Sequence, residues 1–339
     1  MNDIKKLKTI WKELANEQSP GIVKRAVELS SCLKTFCTYN SQDNNCGIAF
    51  SFHKDINVNI LSFQDLAEIK VSLLTDNSFP DSNLLLIQLV EKEGRVIEIF
   101  ETICSNIIAV TKRVDDERSA INLVITQMKK WKQLFSRKSS EALTPAEQQG
   151  LLGELFFLNK LLDLGFDNAL MTEYWVGPLG EPQDFQAPRW SVEVKTVGLK
   201  NQNAVIINGE QQLDESTTEK LFLYKLIIEE NNIEGITLPG LVEEIRDRLN
   251  QDNYAIMDLN QKFLGVGYYS SDEELYINRH YLIHNEKYYH VQGEFPRVKE
   301  KELRLGVSGI KYSINTQDCV EYLLSEDELL NTIQQYERD

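Results

Sequence analysis

The stretch "GEPQDFQAPRWSVEVKTVG" (Gly180–Gly198) decides how the chain is read. From Trp190 onward apolar and polar residues alternate, the period of a β-strand. Val192, Val194 and Thr196 point to one face; Ser191, Glu193, Lys195 and Val197 point to the other. Ala187, Pro188 and Arg189 make a turn, so the segment carrying Asp184 is expected to fold back as a hairpin partner. That hairpin brings Asp184 beside Glu193 and Lys195. Two carboxylates at one spot repel, and a divalent cation between them relieves the repulsion. A lysine two residues on can orient an attacking water. This is the equipment for metal-assisted hydrolysis of a phosphodiester. The plain alternative is a solvated hairpin carrying an i,i+2 ion pair.

Upstream lies "TPAEQQGLLGELFFLNKLLDLG" (Thr144–Gly165). Thr144 as N-cap, Pro145 at the first helical position and Glu147 three residues after the cap form a capping box. Gly165 supplies the stop. Leu151, Leu155, Leu158 and Leu162 form the core stripe of this helix. Glu154 interrupts an otherwise apolar run. Gly150 and Gly153 beside it leave room for another backbone or a ligand. Downstream of the strand, Gln211 and Gln212 are placed to support the lysine or a bound phosphate.

At these residues the chain resembles the PD-(D/E)XK nucleases, the restriction-endonuclease-like superfamily. The signature is Glu154, Asp184, Glu193-Val194-Lys195 and Gln212, in that order. The longer context is similar to one bacterial family within that superfamily. "GLLGELFFL", "YWVGP" (Tyr174–Pro178), "QDF", "VEVKT" and "EQQL" carry the likeness, together with Trp131 ahead of the capped helix. The resemblance spans most of the chain. It implies a mixed four- or five-stranded sheet flanked by helices. It also implies Mg²⁺, with Mn²⁺ able to substitute, held by Asp184 and Glu193 with Glu154 as accessory ligand. Lys195 would orient the water and Gln212 would be an auxiliary contact. Gln183 stands where the superfamily often has proline before the aspartate.

Residues 1–114 read as an N-terminal helix plus a β-rich domain, and 115–339 as the nuclease-like α/β domain. The first 20 residues place Ile4, Leu7, Ile10, Trp11 and Leu14 on one helical stripe. Strands are expected at "GIAFSF" (Gly47–Phe52), "AEIKVSLL" (Ala67–Leu74), "NLLLIQLV" (Asn83–Val90) and "RVIEIFETI" (Arg95–Ile103). A helix over Asp116–Phe135 carries Ile121, Val124, Met128, Trp131 and Phe135 on one face. A polar break, "SRKSSEA" (Ser136–Ala142), follows it. After Gly198 the expected elements are a strand at "NAVIING", a strand at "LFLYKLIIEE" and a helix at "GLVEEIRDRLNQ". A hairpin over "ELYINRHYLIHNEKYYHVQGEF", a strand at "VSGIKYSI" and a short acidic helix complete the chain.

Composition narrows the function classes. The five cysteines are odd in number, irregularly spaced and lack a C-x-x-C, against a disulfide framework or zinc site. No apolar run reaches membrane-span length and the start is not a signal peptide, which points to the cytoplasm. His280 and His284 fall on one strand face about 13 Å apart, too far to share an ion. "RVKEKELR" (Arg297–Arg304) reads as a solvated connection with basic groups able to reach phosphates. The net charge of −16 argues mildly against strong autonomous DNA affinity. The expected function is a Mg²⁺-dependent DNA endonuclease in bacterial restriction or anti-phage defence. A homodimer would supply two sites for two strands. The alternative is a catalytically silent or partner-activated, DNA-binding or structural subunit of a multi-protein defence complex.

Overall fold

The computed structural model describes residues 3–17, 19–28, 32–64, 66, 68–92, 94–112, 114–136, 142–231 and 233–338. The centre of the polar break, 137–141, lies outside the described residues. The chain divides into two compact units, residues 1–140 with 269–271, and residues 141–268 with 272–339.

In the first unit α1 (Asp3–Ala15) precedes β1 (Ile22–Glu28), β2 (Lys34–Asn40), β3 (Asn45–His53), β4 (Ile69–Thr75) and β5 (Ser82–Leu89). These strands form one antiparallel sheet in the order β1-β2-β3-β5-β4. Leu7, Ile10, Trp11 and Leu14 of α1 are buried as their spacing predicts, and the Trp11 indole donates to the carbonyl of Gly47 at 2.8 Å. The expected strand at Arg95–Ile103 is instead part of a helix, α2 (Gly94–Thr111). Its buried residues Val96, Ile99, Phe100, Ile103, Ile107 and Ile108 follow the 3.6 period, which outweighs the β-branched composition of its first turns. The next helix, α3 (Glu117–Ser136), packs against α2 and β3 and so falls in this first unit. The sequence reading groups it with the C-terminal region.

The second unit opens with α4 (Pro145–Asp163), whose Thr144/Glu147 capping box forms as expected. It continues through α5 (Asn168–Tyr174), β6 (Phe185–Gln186), β7 (Trp190–Gly198), β8 (Ala204–Ile207), β9 (Lys220–Asn231) and β10 (Ile236–Thr237). Then come α6 (Leu238–Leu249), α7 (Asn253–Val266), β11 (His280–His290), β12 (Tyr312–Asn315), β13 (Leu323–Leu324) and α8 (Glu326–Arg338). The main sheet is mixed, in the order β10-β11-β9-β7-β6, with β13 also on β11. β7 and β9 run parallel; the other pairs are antiparallel. β8 and β12 make a separate two-stranded sheet.

The expected C-terminal hairpin does not form. "HYLIHNEKYYH" is one strand, β11, along the full length of β9. A register shift between Ile283 and Asn285 absorbs what looks like a turn signal. Alternation on β7 and β9 sorts two apolar clusters. Val192, Val194, Phe222, Tyr224, Leu226 and Ile228 join α4, α6 and α7. On the other face Leu221 and Leu223 join Val205, Ile207, Tyr289 and Ile314. Glu193 and Lys195 belong to that second face. All five cysteines are free thiols. Among the described residues no helix is long and apolar enough to cross a membrane.

Candidate active site

The β6–β7 hairpin sets Asp184. Phe185 pairs Val192 and Gln186 pairs Ser191, and the turn closes by Ala187 N–H donating to the carbonyl of Trp190 at 2.9 Å. Asp184 Oδ2 accepts from the backbone N–H of Val194 at 2.7 Å. Its own carbonyl accepts from Val176 N–H at 2.8 Å and Gly177 N–H at 2.9 Å. The residue is thus tied both to the strand bearing Glu193 and to the turn after α5.

Glu154 arrives from α4. A Cβ on Gly153 would stand 1.9 Å from Thr196 Oγ1 and 3.4 Å from Val194 Cγ1, so the absent side chain lets α4 lie directly on β7. The next residue, Glu154, accepts from the Trp175 indole at Oε2, 2.7 Å. Gly177 lies between the two acids. A Cβ there would meet Asp184 Oδ1 and Glu154 Oε2 at 2.9 Å each. The Gly177 backbone therefore packs directly against both carboxylates, where a side chain would not fit.

Glu193 is 1% exposed, and neither of its carboxylate oxygens accepts a hydrogen bond from the described residues. Its closest charge is Lys195 Nζ, 2.6 Å from Oε1 in an ion pair without hydrogen-bond geometry. Lys195 Nζ donates instead to Gln212 Oε1 at 3.1 Å, which also accepts from Asn208 N–H at 2.9 Å. Burial pushes all three carboxyls upward. Asp184 rises to about 6, opposed by the Val194 N–H and by Lys195. Glu154 rises to about 8, driven by burial and then by Asp184, opposed by Trp175 and Lys195. Glu193 lies well above the ordinary carboxylate range through burial and Asp184. Beside Lys195 on the neighbouring strand, Lys225 is wholly buried. Burial and then Lys287 lower it to about 8. Its ammonium donates to the Gln202 carbonyl and to Thr316 Oγ1.

The loop carrying Gln212 is secured at nearly every residue. Glu210 accepts from Gly309 N–H and Ile310 N–H at 3.2 and 3.1 Å. The Gln211 carbonyl accepts from buried Gln183 Nε2 at 2.6 Å, and Gln211 Nε2 donates to Glu300. Glu215 pairs with Arg297 and Lys299. Gln183, at the position of the superfamily's proline, thereby joins the Asp184 turn to the Gln212 loop. The expected residues Glu154, Asp184, Glu193, Lys195 and Gln212 are all brought together. Trp175, Gly177, Gln183 and Glu210 are additions. Trp175 and Gly177 lie in "YWVGP", a stretch the sequence marks only through resemblance, and the roles of Gln183 and Glu210 depend on contacts across the fold.

The donor set is all hard oxygen, with a buried carboxylate left without hydrogen bonds, and this suits Mg²⁺ or Mn²⁺. Among the described residues no group of three His, Cys, Asp or Glu side chains is placed to hold a metal ion. Mg²⁺ does not need such a group. It is ordinarily held by one or two carboxylates together with water and substrate phosphates. His280 and His284 form no such group either, and His284 pairs with Glu229 at 2.7 Å.

No curated protein and no solved structure matches the chain. One family model, described as "Putative PD-(D/E)XK family member, (DUF4420)", matches residues 7–317, from α1 through the whole Glu154–Gln212 cluster. Matched over that length, the chain belongs to this family.

Proposed function

We propose that the protein is a divalent-metal-dependent DNA endonuclease, with a restriction-endonuclease-like core formed by the mixed sheet and the helices on it. Its context is bacterial restriction or anti-phage defence. The observation that carries the reading is Glu193, a buried carboxylate beside the second carboxylate of Asp184, with the Lys195 ammonium as its one partner among the described residues. Three buried carboxyls that share one ammonium are expensive to ionise unless a further cation joins them. Asp184 and Glu193 hold the metal, with Glu154 as accessory ligand. Mg²⁺ bound there supplies Lewis-acid activation of the phosphodiester. Lys195, steered by Gln212, orients the attacking water and neutralises charge that develops on the phosphate. Gly177 lets the backbone pack directly against Asp184 and Glu154.

The test is cleavage of supercoiled and linear DNA with Mg²⁺ or Mn²⁺, comparing the wild type with Lys195→Ala and Asp184→Ala. Each substitution is expected to lower the rate by about 10²–10⁴-fold with the fold intact. Cleavage that survives both places the chemistry elsewhere.

A second reading is a silent or partner-activated subunit of a defence complex. It draws on the net charge of −16 and on the finding that no three His, Cys, Asp or Glu side chains among the described residues are placed to hold a metal ion. The two readings part on metal binding, because a silent scaffold gains no thermal stability from Mg²⁺ or Mn²⁺.

A further inference from the structure

The segment after β11 is fastened to the Gln212 loop at both ends and leaves the protein in between. At its root, Arg297 Nη2 stands 2.8 Å from Glu215 Oε1, Lys299 pairs with the same carboxylate, and Glu300 accepts from Gln211 Nε2 at 3.2 Å. At its return, Gly309 and Ile310 donate their N–H groups to Glu210. Tyr312, whose hydroxyl accepts from Val298 N–H at 3.2 Å, lies within electrostatic reach of Arg297, Lys195 and Glu193 alike. The segment is therefore mounted beside the lysine and the buried carboxylate.

Between these anchors residues 304–309 are exposed, with Leu305 wholly open to solvent and Val307 48% exposed. Gly306 and Gly309, with φ of +88° and +66°, turn the tip through left-handed backbone. Lys301, Arg304 and Lys311 surround it, all exposed, and their side chains make no ion pair or hydrogen bond with the described residues. The two acids of the segment, Glu300 and Glu302, are exposed as well and are held by neutral donors. Glu300 holds Gln211, and Glu302 accepts from Lys299 N–H at 3.0 Å. Counted with Glu215, residues 297–311 hold five basic groups against three acidic ones, a local positive excess in a chain with 52 acidic and 36 basic residues.

We propose that Lys301–Lys311 is a nucleic-acid arm: Lys301, Arg304 and Lys311 contact backbone phosphates and Leu305 presses into the groove beside the scissile bond. Cations without partners are what phosphates recruit, and an exposed leucine at a loop tip is the kind of wedge that groove-binding proteins insert. The inference rests on the nuclease reading for the identity of the ligand.

The experiment is fluorescence anisotropy of the full-length protein with a labelled DNA duplex, chelator present so that no cleavage occurs. It compares wild type, the triple variant Lys301→Ala/Arg304→Ala/Lys311→Ala, and Leu305→Ser, with circular dichroism and Tm verifying the fold. The triple variant is expected to lose at least about tenfold in affinity, and its log–log salt slope to fall by roughly 2–3, near 0.9 per phosphate contact. Leu305→Ser should weaken binding and leave the salt slope in place. A triple variant that binds like the wild type, or a wild type that binds no duplex, overturns the arm. So does a triple variant whose only change is oligomeric state, which would assign the loop to a protein partner. Hydrolysis of bis(p-nitrophenyl) phosphate by the wild type against Lys195→Ala tests the chemistry separately. Arm-dependent binding without any Lys195-dependent hydrolysis keeps the arm and removes the nuclease reading.

Discussion

Glu193 concentrates the tension in this site. Removing its charge should relieve the folded protein while disabling it. Glu193→Gln is expected to raise the stability of the metal-free protein by about 1 kcal/mol, because burial and Asp184 oppose its charge more than the Lys195 ion pair supports it. The same substitution should abolish cleavage and any Mg²⁺-induced rise in Tm. Denaturant titration with and without Mg²⁺ checks both halves, and a Glu193→Gln protein less stable than wild type would mean the carboxylate is satisfied as it stands. Asp184 and Glu154 add a pH dependence. Their folded carboxyls ionise near 6 and near 8, against ordinary values of 3.8 and 4.5. Between those limits the folded chain binds more protons than the unfolded chain, so the metal-free protein loses stability as pH rises from about 4 to about 8. A cation competes with those protons, so stabilisation by Mg²⁺ should grow across the same window. Tm measured against pH at fixed ionic strength, with Mg²⁺ and with chelator, reads both trends. Parallel curves would detach these carboxyls from metal binding.

At the level of elements, the site depends on how closely α4 approaches β7. Gly153→Ala should cost about 1–3 kcal/mol, because its Cβ would stand 1.9 Å from Thr196 Oγ1. Thr196→Ala removes that oxygen and leaves Thr196 Cβ as the next atom, at 3.3 Å. The double variant should recover most of the loss, a coupling that a thermodynamic cycle isolates. Additive effects would show that the helix is held off by something else. The elements that position the carboxylates were the ones legible in sequence. The capping box of α4, the turn at Ala187–Arg189 and the alternation of β7 are each local signals within a few residues. They place Glu154, Asp184, Glu193 and Lys195 without reference to the rest of the chain. What was not legible depends on partners distant in sequence. α2 reads as a strand until the apolar period is followed to Ile108. β11 reads as a hairpin because Asn285–Lys287 resembles a turn, and only pairing along all of β9 keeps it straight. α7 carries a mixed face with Lys262 buried and donating to the Thr172 carbonyl, which blurs its amphipathic stripe. Gln183 matters through the Gln211 carbonyl, 28 residues away.

Across the whole molecule, charge sets the conditions under which substrate can approach. The chain carries −16, and the site itself presents Glu154, Asp184 and Glu193. At a pH above about 8, where Asp184 and Glu154 are ionised, a phosphate brought to that site without a cation meets like charge in a poorly solvated place, where Coulomb repulsion is screened least. The arm around Leu305 can hold backbone phosphates at a distance from the site, but it cannot remove that repulsion. Duplex affinity should therefore depend on divalent cations beyond what ionic strength alone explains. Exchanging monovalent salt for Ca²⁺ at constant ionic strength is expected to tighten binding by the wild type about tenfold, equivalent to ~1.4 kcal/mol. Glu193→Gln should lose most of that gain, because the cation then has one fewer carboxylate to neutralise and hold it. Substitutions in the arm should lower affinity in both salts and preserve the ratio between them. Equal gains in the wild type and Glu193→Gln would locate the cation's effect on the DNA rather than at the site. A ratio that vanishes only when the arm is altered would place the divalent cation at the arm and require the metal assignment to be redrawn.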